Sequence, residues 1–162
     1  MPEGGWTLSA FSDIEEPGLC NEPEARAFRG GENEAVVVLQ SPDSRVAVTE
    51  LLFKRDESAA SALIDEVRRQ LSVCREYSAT SSHIRTSRVL SDLPVPLLGD
   101  ERIGYRETWS GVPLDGRATV DTALYRERGV LMVLVSSSID PYGSFAMVIQ
   151  NAHTKAHGAA SQ

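Results

Sequence analysis

The clearest hydrophobic pattern lies between residues 45 and 74, where an alternating stretch leads into one with helical spacing. Residues 45–54 (RVAVTELLFK) are apolar at both odd and even positions, which is typical of a strand covered on both faces. Asp56 is a suitable N-cap, and the apolar residues after it have the i, i+3, i+4, i+7 spacing of one helical face: Ala60, Leu63, Ile64, Val67, Leu71 and Cys74. The pattern predicts a strand followed by a helix of about 18 residues that packs on a sheet.

The residues on either side of this unit predict further extended segments. Glu34–Gln40 (EAVVVLQ) is a short apolar run, and the Ser-Pro-Asp-Ser turn after it predicts antiparallel pairing with residues 45–54. After the helix, residues 77–82 are polar, and residues 83–90 alternate weakly, as an edge strand does. Residues 93–100 contain two prolines, so we expect this segment to cross the domain in extended form rather than as a helix.

The last third of the chain predicts a meander and a second helix. Residues 102–109 and 117–126 alternate on either side of a turn rich in Gly and Pro, which predicts a second hairpin. Residues 130–136 (VLMVLVS) are apolar on both faces and predict the most buried strand. Asp140 and Pro141 then supply an N-cap and a first-turn proline for a last helix with its own apolar stripe.

Short turns join the later strands, so the order of elements predicts an α+β fold. We expect a mainly antiparallel, curled sheet of five to six strands, with two packed helices and a central cleft. The whole chain, residues 1–162, is predicted to form a single domain. Within it, residues 1–31 are expected to be an irregular arm, because they are rich in Pro and Gly, and residues 157–162 a frayed tail.

Composition narrows the classes of partner. A chain of 162 residues, 41% of them hydrophobic, is typical of one soluble domain with a substantial hydrophobic core. Its formal net charge of -7 argues against a nucleic-acid partner, since phosphate binding draws on clustered Lys and Arg. The longest apolar run, residues 130–135, is too short to span a bilayer, and no leader opens the chain, so we expect no membrane insertion.

Polar and aromatic residues alternate on the second predicted hairpin and are the strongest candidates for a site. If the sheet curls, one set of them lines an aromatic pocket with a few convergent charges, suited to an apolar small-molecule ligand. The candidate ligand-binding residues are Tyr105, Arg106, Glu107, Trp109, Asp121 and Tyr125. The alternative is a solvated sheet face carrying cross-strand ion pairs. In the pocket interpretation, a carboxylate such as Asp121 or Glu107 would act as an acid or base without a cofactor.

The histidines and cysteines give weaker evidence for a functional site. His153 and His157 have the i, i+4 spacing at which two imidazoles share a metal, but no third ligand is close in sequence, so we predict neither a metal site nor a cofactor. His83 lies alone in a polar stretch and is expected to be exposed. Cys20 and Cys74 leave three interpretations, which are a disulfide, two buried thiols or a reactive thiol. A reactive Cys74 is disfavoured, because it falls on the apolar helix face near the carboxyl end.

In their order and spacing, several short motifs resemble those of the PknH-like extracellular sensor domains of actinobacteria, which are found on receptor kinases and lipoproteins. The motifs are residues 2–6 (PEGGW), 19–21 (LCN), the strand 46–53, the helix that leads to Val73-Cys74, residues 97–101 (LLGDE) and residues 125–129 (YRERG). The resemblance implies an antiparallel sheet with helices around a cleft, placed outside the cytoplasmic membrane. It also implies a disulfide between Cys20 and Cys74.

Two functional hypotheses of different class follow. The first, implied by the resemblance, is a noncatalytic extracytoplasmic sensor or small-molecule-binding module. The second is a small cofactor-independent cyclase or isomerase of a natural-product pathway, built on the same scaffold. The first places the protein outside the cytoplasm if a leader was removed, and the second suits a cytoplasmic protein.

Overall fold

In a computed structural model, the strand and helix expected between residues 45 and 74 are both present. The structure describes residues 7–8, 19–21, 34–40, 46–54, 56–81, 84–111, 117–138 and 154. In these residues the elements are β1 (Thr7–Leu8), β2 (Glu34–Gln40), β3 (Val46–Lys54), α1 (Glu57–Val73), β4 (Glu76–Ser81), β5 (Ile84–Asp92), β6 (Glu101–Ser110), β7 (Arg117–Glu127) and β8 (Val130–Ser138). A short 3-10 turn, Leu19–Asn21, precedes β2.

All eight of these strands belong to one antiparallel sheet, in the order β1-β2-β3-β8-β7-β6-β5-β4. β8 lies between β3 and β7 near the middle of the sheet, which explains its apolar residues on both faces. Leu131, Val133 and Leu134 are completely buried, and β7 is buried to a similar extent, so β8 is a deeply buried strand but not distinctly the most buried one. The tight turn into β8 is Arg128-Gly129, where both residues have positive φ, as a two-residue hairpin turn requires.

α1 packs on one side of the sheet, which we call the helix face. The helix has 17 residues, and its buried apolar side chains all belong to the predicted stripe: Ala60, Ile64, Val67 and Leu71. Leu63 and Cys74 of the stripe are partly buried, and Gln70, which was not predicted, is buried beside them. The stripe shares one apolar core with Leu124 of β7 and with other inward residues of the sheet. Burying a side chain of this size stabilises the fold by about 1.5–3 kcal/mol. The predicted amphipathic helix is confirmed.

A second apolar cluster covers part of the other side of the sheet, which we call the opposite face. Its buried members are Ala123, Tyr125, Met132 and Leu134. Residues 93–98 (LPVPLL) lie across them, with Leu93, Val95 and Leu98 packed on the cluster. We call residues 93–98 the proline strap. It is neither strand nor helix, in agreement with the effect of its two prolines.

A disulfide joins Cys20 to Cys74, with the two Cα atoms 6.4 Å apart, as the family resemblance implied. The bridge holds the 3-10 turn against the end of α1 and beside β4. Leu19 is buried there in the helix-side core, and Asn21 Nδ2 donates a hydrogen bond to the Ser78 carbonyl oxygen, 3.0 Å away. The closed loop of more than fifty residues corresponds to about 4 kcal/mol by the chain-entropy estimate.

Residues 76–81 depart from expectation, because they form strand β4 rather than a polar connection. β4 is therefore the last strand of the described sheet, and β5 is an inner strand instead of the predicted edge. Tyr77 and Ala79 point inward while Ser78 and Thr80 are exposed, so half of the strand is polar and its composition conceals the alternation. With β4 and the two-residue β1, the described sheet has more strands than the predicted five to six.

The α+β class and the antiparallel sheet are confirmed, and other predictions fall outside the described residues. Of the predicted arm, only residues 7–8 and 19–21 are described, as β1 and the 3-10 turn. The last helix also lies outside them, apart from the helical Thr154, and so does the tail. The single domain and the central cleft stay predictions. No helix in the described ranges combines the length and hydropathy needed to cross a bilayer.

Candidate functional site

The six candidate residues of the second hairpin are divided between the two faces of the sheet. On β6, Tyr105, Glu107 and Trp109 point to the helix face, and Arg106 between them points to the opposite face. On β7, Glu107 pairs directly with Val120, so Asp121 and Tyr125 also belong to the opposite face. Tyr105, Trp109 and Tyr125 therefore do not line one common concavity, because they lie on two sides of the sheet.

The helix face contains a buried ion pair that the sequence analysis missed. Arg88 is 2% exposed, and its Nη1 lies 3.8 Å from Oε2 of the equally buried Glu107. The Tyr77 hydroxyl donates to Glu107 Oε1, and Trp109 Nε1 donates to Oε2 at 3.2 Å. Both carboxylate oxygens of Glu107 thus have neighbouring donors, which is the arrangement that a buried charge needs.

Aromatic rings and a threonine hold the guanidinium of Arg88 in place. Its central carbon lies 3.8 Å from the centroid of the Trp109 ring and 5.7 Å from that of Tyr77. Its Nε donates to Thr86 Oγ1 at 3.2 Å. We call Tyr77, Thr86, Arg88, Glu107 and Trp109 the arginine cluster. Because it joins three neighbouring strands and its members satisfy one another, we assign it a structural role.

Register explains how these residues meet, and it is also the signal that the sequence lacked. Tyr77 pairs directly with Arg88, and Arg88 with Trp109, so three neighbouring strands contribute one residue each to the same row. Burial raises the pKa of the Tyr77 phenol above its usual range, and the neighbouring Glu107 carboxylate adds to the effect. Tyr77 is therefore a neutral donor at physiological pH.

On the opposite face, Arg106 and Asp121 form a direct cross-strand pair. The guanidinium binds the carboxylate through two hydrogen bonds, from Nε to Oδ1 at 2.6 Å and from Nη2 to Oδ2 at 2.8 Å. The Arg106 side chain is 42% exposed and that of Asp121 only 10%. The hydrogen bond to Asp121 raises the pKa of Arg106. This is the cross-strand ion pair of the second interpretation, and among the described residues no partner occupies Arg106 Nη1.

Hydroxyl groups surround this ion pair on the same face. Asp121 pairs in register with Ser136, and the next row contains Thr108, Thr119 and Ser138. We call this group the polar floor: Arg106, Thr108, Thr119, Asp121, Ser136 and Ser138. The Ser138 Oγ atom is buried and has no hydrogen-bond partner among the described residues. The polar floor therefore has one buried hydroxyl group that finds no partner in the described part of the chain.

Tyr125 lies on the opposite face, four residues from Asp121 along β7. It is buried in the apolar cluster beneath the proline strap, and in the described part of the chain its hydroxyl has no hydrogen-bond partner. Burial raises the pKa of this phenol above its usual range. It is therefore a neutral hydrogen-bond donor without a partner among the described residues.

Metal ligands do not converge in the described ranges, where no three His, Cys, Asp or Glu side chains form a possible metal site. His83, His153 and His157, the three histidines of the chain, lie outside the residues that the structure describes. The predictions about them stay untested.

Comparison with known proteins supports the fold. The chain is similar to the extracellular domain of PknH from Mycobacterium tuberculosis, with a TM-score of 0.57 and 12% sequence identity over 88% of this chain and 72% of that one. No family model matches the sequence, and no curated protein matches it. At this identity the likeness shows a shared fold alone, so the predicted resemblance is confirmed at the level of the fold.

Proposed function

We propose that this chain is a noncatalytic, sensor-like module that binds a small and largely apolar molecule outside the cytoplasmic membrane. Two observations support the location and the class. The fold is similar to that of an extracellular domain of PknH, and a disulfide joins Cys20 to Cys74. Disulfides persist mainly in oxidising compartments, which makes an extracytoplasmic location the natural one.

The Arg106–Asp121 pair carries the proposal for the site. On the helix face, Arg88 and Glu107 are enclosed and bonded within the arginine cluster. Arg126 of the same face is paired with Glu101 and Asp100. On the opposite face Arg106 is substantially exposed, Asp121 orients it, and an apolar cluster lies beside them. An orienting polar group next to apolar surface is the usual composition of a small-molecule site. We therefore assign ligand binding to Arg106, Asp121 and Tyr125.

The remaining candidates, Tyr105, Glu107 and Trp109, receive structural roles in this proposal. Tyr105 is buried in the helix-side core, and the other two belong to the arginine cluster. Acid–base catalysis requires a carboxylate oxygen within hydrogen-bonding reach of the substrate. Both oxygens of Asp121 accept from Arg106, and both oxygens of Glu107 accept from Tyr77 or Trp109. Among the described residues no contact favours the cyclase or isomerase hypothesis, and we propose no reaction.

Native mass spectrometry tests the proposal directly. The oxidised protein is incubated with a fractionated small-molecule extract from cultures of its source organism, and retained masses are compared with those of Arg106→Gln. The matched control is Arg68→Gln, because Arg68 is an exposed arginine of α1 that is also paired with a carboxylate. We expect a retained compound in the wild type and the control, at least tenfold depleted in Arg106→Gln. Retention of nothing, or equal retention by all three proteins, would refute the proposed function.

A further inference from the structure

Two small residues, a glycine and an alanine, lie side by side on the opposite face of the sheet, and we call the space above them the depression. Gly104 of β6 and Ala123 of β7 are direct partners in the sheet. The same row continues to the fully buried Leu134 on β8. A glycine and an alanine side by side leave a space above the backbone that larger neighbours do not fill.

Val95 of the proline strap occupies this space. A Cβ atom placed on Gly104 would overlap the Val95 side chain and would lie 2.7 Å from the Leu93 carbonyl oxygen. The strap therefore lies directly on the β6 backbone, which only glycine permits at this position. The Val95 side chain therefore fills the space between the strap and the sheet.

The strap is bound to the sheet near its two ends. Leu93 N donates to the Gly104 carbonyl oxygen at 3.1 Å, and beyond the strap Asp100 N donates to the Arg126 carbonyl oxygen at 2.8 Å. Between these points, the described residues show no other backbone hydrogen bond from the strap to the sheet. Pro94 and Pro96 have no N–H to donate. Apolar packing alone holds the middle of the strap, and Leu97 in this middle part is 80% exposed.

A polar group is enclosed beneath this weakly bound segment. Tyr125 belongs to the cluster that the strap covers, it is 2% exposed, and its hydroxyl has no hydrogen-bond partner among the described residues. An unpaired buried hydroxyl is destabilising, and natural proteins rarely retain one without a reason. A ligand that accepts this hydrogen bond would remove the penalty.

From these observations we infer that the proline strap closes a ligand site, and that displacing Val95 opens it for a small, largely apolar molecule with at least one hydrogen-bond acceptor, such as a carbonyl oxygen. The acceptor binds the Tyr125 hydroxyl, and the apolar body lies on Gly104, Ala123 and Leu134. This inference rests on the proposed function and deepens it, because it names the ligand class. The strap then changes conformation when the ligand binds, which is the response that a sensor requires.

Acetophenone and ethylbenzene are suitable probes, because they have nearly the same shape and differ by one carbonyl oxygen. Binding is measured by titrating each into 15N-labelled protein at up to several millimolar concentration. In the wild type we expect amide shifts confined to the strap and to the row of Gly104 and Ala123, with acetophenone bound roughly three- to tenfold more tightly than ethylbenzene. In Tyr125→Phe this preference should disappear while ethylbenzene still binds.

A second pair of variants tests the role of Val95 without altering the Tyr125 hydroxyl. Val95→Ala removes two methyl groups from the depression, so both probes should bind about tenfold more tightly. Leu97→Ala is the matched control, since it shortens an exposed strap residue and should leave both affinities unchanged. Shifts elsewhere on the protein, an unchanged ketone preference in Tyr125→Phe, or equal effects of Val95→Ala and Leu97→Ala would each overturn the inference.

Binding of the natural ligand to these variants distinguishes an error in this inference from an error in the proposed function. The compound retained by the wild type is offered to Tyr125→Phe and Val95→Ala as well as to Arg106→Gln. If its affinity changes in all three variants, the strap site is supported. If it depends on Arg106 but is unaffected by both strap-site variants, the strap site is wrong and the proposed function stands. If no compound is retained, the proposed function fails, and the two probes alone decide whether the strap opens.

Discussion

Replacement of Arg88 by methionine is the sharpest test of the described structure, because it removes one charge from an enclosed pair. Arg88→Met keeps a long apolar stem and a contact for the Trp109 ring, but it deletes the guanidinium. Glu107 then keeps its hydrogen bonds from Tyr77 and Trp109 and loses its opposite charge. The perturbation is therefore electrostatic rather than a large cavity.

The expected cost follows from the burial of the two partners. Arg88 and Glu107 are 2% and 6% exposed, so water cannot replace the missing partner. Removing one member of such a pair typically destabilises a protein by about 3–5 kcal/mol. We expect Arg88→Met to lower the free energy of unfolding by about 3 kcal/mol, because the methionine side chain recovers part of the aromatic contact. The exposed pair of Arg68 and Asp65 provides a control, and Arg68→Met should cost less than about 0.5 kcal/mol.

A double-mutant cycle measured by urea unfolding and circular dichroism isolates the ion pair from the other contacts. The cycle comprises Arg88→Met, Glu107→Gln and the combination of the two. Glutamine keeps an acceptor for the donors around it, so the double variant should be at least about 1 kcal/mol more stable than the sum of the single costs predicts. If Arg88→Met costs under about 1 kcal/mol, or if the two effects simply add, the pair is not the enclosed, interacting pair described above.

Three further predictions address other parts of the structure. Alkylation under denaturing conditions, followed by intact mass, should add no label without reductant and two with it, and Cys20→Ser with Cys74→Ser should lower the free energy of unfolding by about 4 kcal/mol; two labels without reductant would contradict the bridge. Gly104→Ala should cost about 1–3 kcal/mol because the added methyl overlaps the strap, and an unchanged urea midpoint would show that the strap lies elsewhere. Burial raises the pKa of Tyr77 and Tyr125 in the folded state, so their contribution to stability is complete below pH 10 and is lost as pH rises above it; Tyr77→Phe with Tyr125→Phe should flatten this alkaline decline, and an equally steep decline would refute the assignment.

The parts of the fold that the sequence predicted well are those with a strong local period. α1 repeats apolar residues over several helical turns, and β3 and β8 are apolar on both faces. Each of the three elements lies at nearly the expected boundaries. β4 was missed because, of its side chains that the structure describes, only Tyr77 and Ala79 point inward, while Glu76, Ser78 and Thr80 are exposed. A half-polar strand becomes recognisable only when its neighbour in the sheet is known.

The candidate site was harder to predict, because it depends on register between strands. Alternation along β6 places Tyr105 and Trp109 on one face and Arg106 on the other, but alternation alone does not show which residues of β7 share each face. That assignment follows from the pairing of Glu107 with Val120 across a connection of several residues. Arg88 illustrates the same limit. Its sequence neighbours are typical of a solvated strand, and its burial results from partners on two other strands.

Buried polar atoms without a hydrogen-bond partner occur on both faces of the described sheet, but those of the helix face, Glu101 Oε2 and Arg126 Nε, lie 3.5 Å apart as an ion pair. The unpartnered atoms of the opposite face are neutral hydroxyls with no such neighbour in the described residues, which favours this face as the binding surface. On the helix face, the buried charges of Arg88 and Glu107 are paired and hydrogen-bonded, as stability requires. On the opposite face, the described structure leaves the hydroxyls of Tyr125 and Ser138 buried without partners. Sequences that are otherwise consistent tend to break such local rules at functional sites.

Geometry links the polar floor to the space beneath the strap. Arg106 follows Gly104 by two residues on the same face of β6, so its backbone lies about 7 Å along the strand from the glycine that Val95 covers. A ligand beneath the strap would therefore meet Tyr125 on one side and Arg106 on the other. Because Asp121 already neutralises Arg106 and fixes its direction, the arginine can orient a polar end of the ligand without attracting free anions into an apolar site.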